Sequence, residues 1–318
     1  MVIQSVLVTG GLGFVGSAIV DALHKKYPSS LIKILDISED TFEWKTKSKY
    51  PPNISFVACD ILDTEKLRGV LRHTKPDVII HTAGIVPPLS ERYNRRIEER
   101  ILSVNVEGTR NILNATENAG AKAEKNVLAA NSTTFSTCIL RPSVIMGPGD
   151  KQLIPPIHAC IAKGETPFII GSADNLWDIT YVTNVADAHV LAAENLRSNT
   201  PTAAGEIFFI QNNTPITFRD FSIAVWKEFG HIPPYEATIP QGLAWVAGLL
   251  AEAASWLTGS KEPTLSRGSV NDACAIRYAS GEKAKRILGY EAKVGLEEGI
   301  RLSCEAYKKR LANQEKEE

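Results

Sequence analysis

No stretch of this chain reaches the roughly 18 uncharged apolar residues that a bilayer-spanning helix needs. Cysteine is scarce and scattered: Cys59, Cys138, Cys160, Cys274 and Cys304, five in 318 residues. The number is odd and no CxxC or other metal-ligand spacing occurs. A disulfide framework and a metal site are therefore not expected, and reduced thiols in a reducing compartment are. An excess of charge is missing too. Thirty-five Lys and Arg face 36 Asp and Glu, a formal net charge of −1, which leaves no electrostatic footprint for nucleic acid. No internal repeat is present, and the charged tail Gln314–Glu318 is the one biased tract. The first residues run straight into a strand pattern, so no signal peptide is expected. Apolar residues, by contrast, make up 44% of the chain, enough for a large core in one domain or one and a half.

The chain is organised around its first stretch, Val6-Leu7-Val8-Thr9-Gly10-Gly11-Leu12-Gly13-Phe14-Val15-Gly16-Ser17. An apolar run over residues 2–8 predicts a buried parallel strand, and a helix pattern begins at Phe14. Gly10 lets the chain turn off the strand, Gly13 lets a pyrophosphate approach the backbone, and Gly16 lets helix and strand lie close. The helix N-terminus offers unpaired N–H groups and a partial positive charge to phosphates. Two acids support the reading. Asp36 closes a second strand, 31–36, about 20 residues after the last glycine, where a dinucleotide fold places an acid on the ribose hydroxyls. Asp60-Ile61 follows a third strand, 54–59, placed to border the adenine. An acid at Asp36 repels a 2′-phosphate, so NAD is expected rather than NADP.

Strand and helix go on alternating: a helix over 14–26, a polar loop from Ser38 to Asn53, a short helix opened by Asp63 and ending near His73, and a fourth strand over 77–81. This order predicts a doubly wound parallel sheet. Thr82-Ala83-Gly84 follow the fourth strand at the crevice where such sheets bind ligands. His81 reads as a packing residue. A long helix, Asn94 to Asn118, carries Asn105 inside an apolar face, where it needs partners and is expected to fasten the helix to neighbouring strands.

Several segments together carry a resemblance: Thr9 to Gly16, Asp60-Ile61, His81-Thr82-Ala83, Asn105-Val106-Glu107-Gly108-Thr109, Leu140 to Asp150, Asp178 to His189, Phe208-Phe209-Ile210 and Lys283 to Tyr290. As a set they resemble the 3β-hydroxysteroid dehydrogenase family of extended short-chain dehydrogenases, over nearly the whole chain. The resemblance implies a Rossmann NAD-binding domain over 1–150 and a smaller substrate-binding region over 151–318 that returns to the sheet. It implies that Pro142, Ser143 and Val144 lie under the nicotinamide and that Asn175 and Tyr181 line the substrate side. The implied activity is NAD-dependent oxidation of a 3β-hydroxyl on a 4α-carboxysterol, with decarboxylation to the 3-ketosteroid. Other hydroxysteroid or triterpenoid alcohol dehydrogenases, or an NAD-binding protein without turnover, are the alternatives.

One family feature is missing. The family carries a Tyr-x-x-x-Lys pair as its proton acceptor, and none of the eight tyrosines here has Lys four places on. Thr82 is a weak substitute, because its hydroxyl is not a usable base near neutral pH. The loss has a place. The long helix ends near Asn118, and Ala121 to Asn131 at once reads as helix again, with no strand between. Consecutive helices of a doubly wound sheet need a strand to bring the chain back. Two readings stand. Either a segment of roughly 30–50 residues, the size of a βα unit, is lacking, or residues 136–140 move into the unfilled strand position.

In the second half, Thr217 opens an amphipathic helix with Phe221, Val225 and Trp226 on one face. Leu243 to Leu257 is apolar almost all round, with Glu252 its one charge and Trp245 and Trp256 near its ends. It reads equally as a lid over an apolar cavity or as a peripheral membrane contact. The second fits a sterol-like substrate and a place on the cytoplasmic face of the endoplasmic reticulum membrane, the alternative being the cytoplasm. A homodimer through the long helix is the expected assembly.

Overall fold

A computed structural model describes residues 3–37, 51–87, 95–116, 123–258 and 265–317. Alternating side chains build its first layer. Strands β1 (Ser5–Thr9), β2 (Leu31–Asp36), β3 (Ile54–Ala58) and β4 (Val78–His81) form a parallel sheet of order β3-β2-β1-β4. Val6 and Val8 point to one face and Leu7 to the other, and all three are buried. A strand covered on both faces is the condition for an all-parallel sheet.

On the Val6/Val8 face, α1 (Phe14–Lys26) packs Ile19, Val20 and Leu23 beside the helix Val182–Leu196. On the Leu7 face lie α2 (Thr64–Thr74), with Leu67 and Leu71, and α4 (Thr109–Ala115), with Ile112. Asp63 caps α2 by accepting the Lys66 N–H at 3.0 Å. The long helix is present but not uniform. It runs as α3 (Arg95–Leu102), a π-helical turn over Ser103–Gly108, and then α4. Residues 94 and 117–118 of the expected helix, and 38–50 of the expected loop, lie outside the described residues.

Several strand limits differ from expectation, and the fourth strand begins at Val78 rather than residue 77. The first strand begins at Ser5 rather than residue 2, because the Asp77 carboxylate takes the Gln4 and Ser5 N–H groups at 3.0 and 3.1 Å. It extends to Thr9, which pairs with Leu35 and His81. The third ends at Ala58, although the Cys59 N–H still reaches Asp36 O at 2.8 Å.

Beyond residue 123 the chain forms α5 (Ala123–Ala129) and then β5 (Ile139–Pro142). Here one of the two readings fails. The segment 136–140 does not enter the position beside β4. Instead β5 pairs in parallel with Ile207–Ile210, which satisfies its ladder on that side. Among the described residues β4 pairs with β1 alone, so the sheet falls into a four-stranded and a two-stranded leaf.

The C-terminal part has its own core. Met146, Ile154, Ile157, Trp177, Phe221, Val225 and Trp226 are buried together. The helix Phe218–Glu228 forms as its pattern predicts, capped by Thr217, whose hydroxyl takes the Asp220 N–H at 3.0 Å.

His81 ties the layers together. Its Nδ1 lies 2.6 Å from the Thr9 hydroxyl and its Nε2 3.0 Å from that of Thr109. The Thr109 hydroxyl donates to Asn105 O, so the ring donates from Nε2 and accepts at Nδ1, which only the neutral imidazole does. Burial pushes its pKa down to about 4 from 6.5. The native state thus holds fewer protons than the unfolded chain between those values, and stability is lost as pH falls through that window. Melting should drop from pH 6.5 toward 4, by up to about 1.4 kcal/mol per pH unit. His81→Gln should flatten the slope in scanning calorimetry, leaving the same-sign contributions of His158 and His189.

Candidate functional site

The site grows from the C-terminal end of β1. Gly10 adopts φ +67°, and a Cβ there would stand 2.7 Å from the Ala83 backbone. Only glycine lets the turn press against the segment after β4. Gly16 is as restricted, because a Cβ would run into the Gly10 carbonyl. Gly13 is the extended N-cap of α1. It has no side chain to close the helix end, and the first turn holds no acid, whereas His24, Lys25 and Lys26 sit in the last turn. The leading N–H groups therefore face outward with nothing to oppose an anion.

Asp36 stands across the turn. Its Oδ2 accepts the Leu12 N–H at 3.1 Å and its Oδ1 that of Ile37 at 2.8 Å. Gly10 N–H donates to Leu35 O at 2.8 Å. The acid and the glycine turn are thus one rigid piece. Asp60 orders the next turn by accepting the Leu62 N–H at 2.9 Å, and Asn111 holds Ile61 O at 3.0 Å. Asn105 meets both backbone groups of Ile85, accepting its N–H at 2.7 Å and donating to its carbonyl at 2.9 Å. It therefore pins the segment after β4 rather than a strand.

These pieces enclose a cavity of about 620 Å³. Of the expected cofactor residues, Gly10, Gly13, Asp36, Asp60, Ile61, Thr82, Ala83 and Gly84 line it. Phe14, Val15 and Gly16 lie behind the turn: the Phe14 ring faces Gly147 and Gly149, and Val15 joins the core. Pro142, Ser143 and Val144 do not line this cavity. Ser143 N–H donates to Ile210 O at 3.0 Å, and its hydroxyl is buried without a partner.

Glu99, Arg100, Ser103 and Val104 complete the wall. Nothing in the sequence reading marked them, because their polar stretch carries no spacing signal; adjacency to Asn105 was the one available hint. Cys59 lines the cavity as well, and burial raises its thiol pKa. Thr82 donates its hydroxyl to Thr9 O at 2.7 Å.

The expected substrate residues sit elsewhere. Asn175 spends its amide on Ala273 O at 2.8 Å and Ala275 O at 3.4 Å. Tyr181 is 5% exposed in the C-terminal core. The segment around them has a structural role. Asn184, fully buried, donates to Asn212 Oδ1 and Val294 O and accepts the N–H groups of Lys293 and Val294.

Replacing Asn105 by Ala should cost about 1–3 kcal/mol, the penalty of two stranded backbone groups. Urea denaturation would measure it, and the variant should also lose cavity ligand affinity through the loosened Ile85 segment.

A model of the 3-beta hydroxysteroid dehydrogenase/isomerase family matches residues 7–123 and 118–241. A sterol-4-alpha-carboxylate 3-dehydrogenase, decarboxylating, from Candida albicans is 32% identical over 345 residues, covering 94% of this chain and 96% of the relative. One of the same name from Schizosaccharomyces pombe is 35% identical over 343 residues, with 95% and 96% covered. Among solved structures, a dTDP-glucose 4,6-dehydratase from Streptomyces venezuelae with NAD and TYD bound superposes with a TM-score of 0.71 at 20% identity, over 96% of this chain and 98% of that one. That likeness establishes the Rossmann fold.

Proposed function

Because the chain belongs to the 3-beta hydroxysteroid dehydrogenase/isomerase family, we propose that it serves the NAD-dependent oxidation of a 3β-hydroxyl on a 4α-carboxysterol, with decarboxylation to the 3-ketosteroid. The carrying observation is the Asp36 carboxylate fixed on the Leu12 N–H, at the mouth of an uncapped helix end. The α1 terminus would hold the pyrophosphate, Asp36 the adenosine ribose, and Asp60-Ile61 the adenine. Thr82, Ala83 and Gly84 leave room on the nicotinamide side, and Pro142, Ser143 and Val144 belong to its far wall. When bound, NAD supplies a hydride acceptor for C3. The ketone formed at C3 is β to the carboxylate, and a β-keto acid loses carbon dioxide through its enolate without further help.

In this reading residues 1–150 bind the dinucleotide and 151–318 shape the sterol side. Asn175 contributes by holding the Ala273–Ala275 segment, and Tyr181 by filling the core beneath it. A homodimer through the Arg95–Ala115 run, where Leu102 is exposed, belongs to the same reading; light scattering at twice the chain mass supports it and at the chain mass rejects it.

Contact with a membrane surface, on the cytoplasmic face of the endoplasmic reticulum, is the third part. No helix among the described residues is long and apolar enough to cross a membrane. The helix Gln241–Thr258 nevertheless buries only Ala244 and Gly248, while Trp256 is 82% and Leu257 76% exposed. Its one acid is neutralised by Arg267, which meets both Glu252 oxygens. Apolar side chains with tryptophan at the end suit a lipid interface, which is also where a sterol resides.

Calorimetry tests the cofactor. NAD should bind more tightly than NADP, and Asp36→Asn should weaken NAD about tenfold, near 1.4 kcal/mol, while narrowing the preference. Absence of heat with NAD at millimolar concentration would refute the reading. Co-sedimentation with sterol-containing vesicles tests the helix. Trp256→Ser with Leu257→Ser should lower the bound fraction several-fold, and unchanged partitioning rejects the contact.

A further inference from the structure

The two leaves of the sheet share no strand pairing among the described residues. One helix, Val182–Leu196, packs on both: Ala186, Val190 and Ala193 join the core of the four-stranded leaf, and Ala188 and Ala192 join Phe208 and Ile210 of the two-stranded one. Yet β4 pairs with β1 only and β5 with Ile207–Ile210 only, among the described residues. Backbone groups along both facing edges thus lack the ladder that a parallel sheet gives to interior strands.

The helices above the same place carry a second mark. Asn126 on α5 is fully buried, and neither its Oδ1 nor its Nδ2 has a partner. Asn114 Oδ1 on α4 is buried and unpaired as well, as is the Ser143 hydroxyl just past β5. Native structures hold few such groups, and three of the ten unpaired atoms among the described residues belong to α4 and α5, on the two sides of one junction.

Comparison gives the total by which the relatives exceed this chain. The family model matches in two pieces whose ends overlap at 118–123. Ninety-four per cent of 318 residues is about 299, so the 345-residue alignment leaves about 46 positions of the Candida albicans relative without a counterpart. For the Schizosaccharomyces pombe relative the corresponding figure is about 41. That length suits one strand, one helix and their turns.

The cavity gives the chemical consequence. Its titratable walls are Asp36, Cys59, Asp60, Glu99 and Arg100, and its hydroxyl nearest the nicotinamide side, Thr82, already donates to Thr9 O. Among the described residues no His, Lys or Tyr lines it, and the sequence holds no Tyr-x-x-x-Lys pair to serve as the family's proton acceptor.

We propose that the open edges of β4 and β5 are the seat of one strand-plus-helix unit of about 40–46 residues, entering between residues 116 and 123, and that without it the 318-residue chain binds the dinucleotide but oxidises the sterol at least a hundredfold more slowly. The unit's strand joins the two leaves into one continuous sheet. The unit offers partners to Asn114 and Asn126, and it brings the missing proton acceptor to the cavity. This rests on the dehydrogenase reading above, and NAD binding separates the two: a chain that fails to bind NAD refutes that reading, whereas the outcomes below bear on the unit.

Hydrogen exchange on the 318-residue chain is the first measurement. Fast exchange of the amides of Val78–His81 and Ile139–Arg141 that face away from their paired strands, relative to β1 and β2, is expected; protection equal to β1 overturns the proposal. The second is a chain in which residues 117–122 are replaced by the aligned unit of the Schizosaccharomyces pombe relative. It should melt higher, protect those amides, and form NADH from a 4α-carboxysterol at least a hundredfold faster than the shorter chain. Turnover by the 318-residue chain at a rate comparable to the longer one overturns the proposal. So does a longer chain that leaves exchange at β4 and β5 unchanged.

Discussion

A single backbone N–H, that of Leu12, ends on the carboxylate of Asp36, and the geometry of the cavity follows from that bond. It joins the turn after β1 to the end of β2, so that the helix end and the acid are presented at a fixed separation. The turn can close this far only because residues 10 and 16 carry no Cβ, and because Ala83 lets the next segment come against it. The proposed dinucleotide site thus rests on backbone placement more than on side-chain reach.

The first half of the fold was legible because its signals are local. Alternation in Val6-Leu7-Val8 reports two covered faces, glycine spacing reports close approach, and Asp36 reports the end of a strand. The π-helical turn at Ser103–Gly108 left no trace, since no residue type demands it. The substrate side misled for a physical reason. Asn175 and Tyr181 look like polar groups offered to a ligand, but the backbone carbonyls of Ala273 and Ala275 claim the first and packing claims the second. Asn184, in the same segment, shows why polarity alone does not mark a site. Its amide goes into fixing Asn212 and residues 293–294.

The break between β4 and β5 was legible in another way, as an inconsistency. Two helical runs met without a strand, and sheet geometry does not permit that at no cost. Sequence could not say whether a later strand would shift to fill the place. The register of β5 against Ile207–Ile210 answers it, because a strand already paired there with its own helix connection gains nothing by leaving.

The alanines of the helix Val182–Leu196 have a bearing on how such a chain persists at all. Small side chains let this one element lie flat across both halves of the sheet, as a splint lies across a fracture. With it in place, each half of the sheet keeps its own packed interior. Architectures laced by a shared covering helix should therefore survive losses, through splicing or deletion, that would dissolve a sheet held together only by its neighbours.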